Sequence, residues 1–239
     1  MKTIASILLV TGAVIAYVVV QITAKPGPVN ELIVMQDMTA PHLSKPGAED
    51  ILPLYGFEEE KYSGGVFRFT VLTDVSANRT YEAEIKSENE WLSNEYDREE
   101  KIQGFYSEIR NILSGIGKES VGKNYSSIYT PLADGLNKLS ESKAKKRILL
   151  IYSDLMENTG DISFYNENTL RRIKSGDGGI RKYLEDKTPI SDLKGVTAYL
   201  IYQPADPEED RLYRIVSGFY KDILEQKGAR VVITANLIN

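Results

Sequence analysis

Glu31-Leu32-Ile33-Val34-Met35-Gln36-Asp37-Met38-Thr39-Ala40-Pro41 sets an apolar run, Leu32 to Met35, directly against an acid and a hydroxyl two residues apart. A short unbroken apolar run of this kind suits a strand buried on both faces in the middle of a parallel sheet. A carboxylate that closes such a strand stands at the carboxyl edge of the sheet, where open α/β folds bind their ligands. Asp37 and Thr39 then offer two hard oxygen donors from one turn. That is the chemistry of a Mg²⁺ or Ca²⁺ site once other loops add oxygens. The same pair also makes a good turn by bonding nearby backbone.

The theme recurs downstream. Arg147 to Leu155 is a second apolar strand ending in an acid, Asp154, and Val196 to Tyr202 is a third. Arg230 to Ile238 reads as a last strand. Val66 to Val75 and Arg79 to Ile85 are β-branched and aromatic, with only Ser76-Ala77-Asn78 between them, so they predict a hairpin. Tyr81, Ala83 and Ile85 alternate with Glu82 and Glu84. That pattern predicts an antiparallel edge strand with charges facing water.

Helical spacing fills the gaps. Residues 48–55 predict about two turns, limited by Pro53. From Glu90 to Leu113, Trp91, Tyr96, Ile102, Phe105, Tyr106, Ile109 and Leu113 predict an inward aromatic stripe on a long helix. Thr130 with Pro131 opens a helix to about Ser142. A short helix is expected near 180–185, and a longer one from Pro207 to Lys227, stopped by Gly228. Residues 41–65 read as irregular apart from the short helix.

The chain has 239 residues, 42% hydrophobic and 26% charged, which is a globular composition. The net charge of −5 gives no footing for nucleic-acid binding. Lys143, Lys145, Lys146 and Arg147 read instead as a solvated helix end favoured by the helix dipole. With no cysteine, disulfides, thiolate metal sites and cysteine catalysis are excluded. Residues 4–24 carry no charge and approach the ~20 residues a helix needs to cross a bilayer. They predict a transmembrane anchor, with a cleaved signal segment ending near Ala24 as the alternative. The resulting division is 1–25 anchor or signal, 26–30 linker and 31–239 folded domain, with the domain on the outer side of the membrane.

This order of elements is a doubly wound, Rossmann-like α/β domain with a mostly parallel sheet and one antiparallel edge strand. At this point residues 31–238 resemble the von Willebrand factor A family, in particular its membrane-anchored bacterial members. The resemblance rests on Asp37-Met38-Thr39-Ala40-Pro41, on Asp154 in Tyr152-Ser153-Asp154-Leu155, and on Ala133 to Leu139 running through Ser142 to Lys146 into the strand. It implies a metal-ion-dependent adhesion site for Mg²⁺ (or Mn²⁺ or Ca²⁺). Thr39 and a second-loop hydroxyl, from Thr130 or from Ser126 or Ser127, would bind the ion directly. Asp37 and Asp154 would supply charge, and one position would stay open for an acidic side chain of a protein partner. Two departures stand out: Pro41 occupies a position that carries a hydroxyl in the family, with Ser44 the nearest substitute, and Leu155 follows Asp154 where the family has glycine.

The function expected from this reading is a membrane-tethered module for protein–protein binding, not an enzyme. A metal-free structural subunit of an envelope complex is the first alternative. Asp37-Met38-Thr39 is also similar to the nucleophile loop of haloacid-dehalogenase-like phosphotransferases, but the acidic pair of that family is missing. His42, the single histidine, reads as a loop residue, because Mg²⁺ prefers oxygen. Glu157 and Asn158 read as further oxygen donors or as a helix cap.

Overall fold

The structure is a computed structural model that describes residues 27–39, 44–73, 78–116 and 126–237. The expected anchor at 4–24, Pro41 and His42 lie outside the described residues. Among the described residues no helix is long and apolar enough to cross a membrane.

Strand β1 (Val29–Asp37) is buried along nearly its whole length. It pairs in parallel with β2 (Gly64–Leu72) on one side and β4 (Lys146–Tyr152) on the other, so Val34 lies between Phe69 and Leu150. Being covered by a neighbour on each side and a layer on each face is what its unbroken apolar run requires. The strand begins at Val29, inside the expected linker, because Val29 already pairs with Gly64. β3 (Arg79–Ile85) is the antiparallel edge strand, with Ala83 and Ile85 buried and Glu82 and Glu84 exposed. β5 (Val196–Ile201) and β6 (Arg230–Thr234) extend the other side in parallel, giving the order β3-β2-β1-β4-β5-β6. The last strand is shorter than its sequence suggests.

Helices cover both faces. A short helix α1 (Ala48–Ile51), continued by a 3₁₀ turn (Leu52–Tyr55), and the long α2 (Glu95–Ile116) pack on one face against Leu32, Val34, Phe67 and Phe69. On the other face lie α3 (Tyr129–Glu141), α4 (Glu167–Lys174), α5 (Gly178–Lys187) and α6 (Pro207–Gln226), around Ile33, Met35, Leu149, Ile151, Ala198 and Leu200. Each fully buried side chain of this size contributes roughly 1.5–3 kcal/mol. The turn after α6 is set by Gly228 at φ +92°, a conformation that favours glycine.

Three expectations change. α2 starts at Glu95, not Glu90, and Trp91 and Tyr96 are 82% and 86% exposed instead of joining the inward stripe. Only Ile102, Phe105 and Ile109 of that stripe are buried, with Tyr106 and Leu113 partly so. Asn94 ends the preceding turn by accepting from the backbone N–H of Tyr96, which places the helix start after Trp91. Two helices, not one, join β4 to β5: Asn166 caps α4 by accepting from Asn168 N–H, and Asp177 caps α5 by accepting from Gly179 N–H. Of the basic cluster, Arg147 does more than sit in water. Its guanidinium donates to the carbonyls of Leu139 and Ser140 at the end of α3 and to Lys194 O.

Candidate functional site

The sheet reverses its winding between β1 and β4. The chain steps from β1 to β2 and β3 on one side and then crosses back from β3 to β4 on the other side of β1, so a crevice opens at the carboxyl ends of β1 and β4. Asp37 closes β1 there, and Ser153-Asp154 follows β4.

Asp37 stands at the carboxyl edge of the sheet yet is only 1% exposed. Its Oδ1 accepts from Thr39 N–H at 2.8 Å and from Thr39 Oγ1 at 2.6 Å. Its Oδ2 accepts from Ser153 Oγ at 2.9 Å. The two strand ends are thus tied across the switch point by one carboxylate. Ser153 Oγ also accepts from Leu155 N–H at 2.9 Å. Leu155 has φ +62°, the left-handed region that a non-glycine residue enters at a cost of order 1–3 kcal/mol. The turn carries Asp154 beside Asp37's partner, with Asp154 Oδ1 accepting from Met156 N–H at 2.9 Å.

Tyr165 approaches from the loop before α4, its hydroxyl donating to Asp154 Oδ2 at 3.3 Å. Burial of the hydroxyl, and after it the charge of Asp154, raises the pKa of Tyr165, and the charge of Asp37 adds to this. Tyr202 behaves alike: burial, then its bond to Glu209, then Asp154 push its pKa up. Both phenols therefore stay protonated at neutral pH and act as donors toward carboxylates. Nothing in the spacing of the sequence marked Tyr165 or Tyr202, because neither belongs to the motif at Asp37.

The loop before α3 meets the loop after β4 through a two-bond bridge, Ser126 N–H to Asn158 O and Asn158 N–H to Ser126 O, both 2.8 Å. Ser126 Oγ is buried and finds no hydrogen-bond partner among the described residues. Thr130 is the second residue of α3, where its hydroxyl meets that of Thr188 at 3.3 Å. Ser44 donates to Ala235 O at 2.7 Å, near the end of β6. Glu157 is a helix cap: its Oε2 accepts from Ile128 N–H and Tyr129 N–H, both at 2.8 Å. Burial raises its pKa against the pull of these two bonds.

The donor set at the crevice is Asp37, Thr39, Ser153 and Asp154, with Ser126 on the adjoining loop. All are oxygen donors, and two are carboxylates, which suits a hard divalent cation. Among the described residues no three groups of the carboxylate, imidazole or thiolate kind gather at one point, so hydroxyls would have to complete any such site. The unpartnered Ser126 hydroxyl fits that requirement, since a buried polar atom without a bond costs about 1–3 kcal/mol. No model of a known protein family matches the chain, and no curated protein matches it in sequence.

Proposed function

We propose that this chain is a membrane-tethered binding module of the von Willebrand factor A type. It holds Mg²⁺ (or Mn²⁺ or Ca²⁺) at the β1–β4 edge and offers it to an acidic side chain of a protein partner. The observation that supports this reading is the strand order β3-β2-β1-β4-β5-β6, with Asp37, Thr39, Ser153 and Asp154 at its switch point. Thr39, Ser126 and the two carboxylates would hold the ion, and the bound ion would supply an electron-poor position for an anionic ligand. Asp37 orients Thr39 and Ser153. Residues 4–24 tether the domain on the outer side of the membrane. In this reading the protein is a binder, not an enzyme.

A metal-free structural subunit of an envelope complex is the second reading. It is favoured by the bonds Asp37 receives from the neutral groups of Thr39 and Ser153, which satisfy much of its bonding capacity without a cation. Thermal unfolding of the full chain in detergent separates the two. A cation bound only by the native state, at a hundred times its Kd, stabilises by about 2.7 kcal/mol. Millimolar Mg²⁺ or Mn²⁺ should raise the melting temperature of the wild type and not of Asp37→Asn. An equal response of both proteins, or of neither, favours the metal-free reading.

A further inference from the structure

The carboxyl edge carries the crevice; the opposite edge carries an apolar patch. Trp91 is 82%, Leu92 76% and Tyr96 86% exposed, within six residues of one another. Large apolar side chains are rarely left bare together without a use. They follow β3, whose last residue Ile85 pairs with Gly65 near the start of β2, so the patch belongs to the amino-terminal edge of the parallel strands. β1 has nine residues, which separates the two edges by about 25–30 Å.

The patch is held rigidly. Asn89 Oδ1 accepts from Trp91 N–H at 2.8 Å, and Asn89 O accepts from Leu92 N–H at 3.1 Å. Arg98, fully buried, donates to the carbonyls of Lys61, Ser63 and Lys86, fastening the segments on either side. Two of its acidic neighbours are answered, Glu88 by Lys101 at 2.8 Å and Arg98 at 3.5 Å, and Glu95 by Lys61 at 3.0 Å, while Glu90 beside Trp91 adds an acid to the groove.

What covers the patch follows from where the chain comes from. Gly27 N–H donates to Glu88 O at 3.2 Å, and Gly27, Pro28, Glu88 and Trp91 line one groove. The apolar run 4–24 ends three residues before Gly27, a reach of at most about 10 Å. A bilayer entered by that run lies within the length of a few residues of Trp91. Tryptophan and tyrosine prefer the headgroup level, where the ring is apolar and its N–H or O–H stays wet.

We propose that Trp91, Leu92 and Tyr96 dock the amino-terminal edge of the domain into the lipid–water interface of the membrane that residues 4–24 anchor. This rests on the tether reading above and is independent of the metal. It turns the domain from a head on a loose leash into one held upright, with the Asp37–Asp154 crevice facing away from the bilayer. Because the contact is apolar and the groove beside it is rich in glutamate, zwitterionic lipid suffices and anionic lipid is not required.

Trp91 is the only tryptophan, so its fluorescence reports on the patch alone. The test reconstitutes the full chain into phosphatidylcholine vesicles, with and without lipids brominated near the headgroup end of the acyl chain. The emission of Trp91 should shift to the blue and be quenched by the brominated lipid. Leu92→Glu with Tyr96→Glu, two exposed positions that leave the core untouched, should raise quenching by aqueous acrylamide about threefold and abolish quenching by bromine. Trp91 that stays open to acrylamide and unquenched by bromine, in chains that float with the vesicles, overturns the proposal while leaving the tether intact. Trp91 shielded from both quenchers points to a protein on the patch and also overturns it. Chains released from the vesicles by carbonate overturn the tether, and the docking with it.

Discussion

Replacing Arg98 by alanine is expected to destabilise the protein by about 3–5 kcal/mol, the scale of a buried charged group whose partners are left behind. Arg98 is the largest fully buried side chain among the described residues. Its Nε donates to Lys61 O at 2.8 Å, its Nη1 to Lys86 O at 2.9 Å and its Nη2 to Ser63 O. Glu88 at 3.5 Å balances part of its charge, and the Phe57 ring lies 5.6 Å from the guanidinium carbon. Burial lowers its pKa, with Glu88 opposing, yet an arginine remains charged at any pH the fold would meet. Truncation strands three carbonyls that no water reaches easily. Lysine cannot replace the planar fork, so Arg98→Lys should recover less than half of the loss. For a chain of this size the alanine variant should melt on the order of 10 °C lower. A loss under about 1 kcal/mol in urea unfolding would mean that the three carbonyls find other partners.

The second large effect concerns Glu31 and Arg68, which form an ion pair across β1 and β2 with side chains only 9% and 14% exposed. Arg68 Nε also reaches Glu82 at 2.8 Å, but Glu82 is half in water and contributes little. Arg68→Met leaves the Glu31 carboxylate buried beside an apolar chain and should cost about 3 kcal/mol. Adding Glu31→Leu removes the orphaned charge, and the double variant should return to within about 1 kcal/mol of wild type. A double variant no better than the single one would show that each side chain acts alone.

These two arginines also mark the limits of the sequence. The buried strands were legible because four-residue apolar runs such as Leu32 to Met35 have few other homes, and the edge strand because Glu82 and Glu84 alternate with core residues. The mostly parallel sheet with one antiparallel edge strand followed from the sequence of elements; its strand order came from the structure. The position of Arg98 was hidden by its neighbours: among Glu95, Asp97, Glu99 and Glu100 it looks like one more solvated charge. Trp91 and Tyr96 were misplaced for the converse reason. Their spacing to Ile102 and Phe105 fits a helical stripe, but an Asn94 cap starts the helix five residues beyond the expected point and turns them outward. At the crevice, Asp37, Thr39 and Asp154 were visible because each closes or follows a buried strand. Tyr165 and the Ser153–Asp37 bond were not, since they depend on how one loop folds back over another. Asp37 itself was legible, but its burial was not. The Ser153 hydroxyl and the Thr39 turn bury it.

The β1–β4 edge is proposed above to bind a divalent cation through Asp37, Thr39 and Asp154. Electron paramagnetic resonance of Mn²⁺ titrated into the full chain tests it most directly, because free and bound Mn²⁺ give different signals. About one bound ion per chain is expected at millimolar Mn²⁺ or below, competed by Mg²⁺, and lost in both Asp37→Asn and Asp154→Asn while the far-ultraviolet dichroism of the variants stays that of wild type. Mn²⁺ that remains free across the titration, or that binds both variants as well as it binds the wild type, would contradict it.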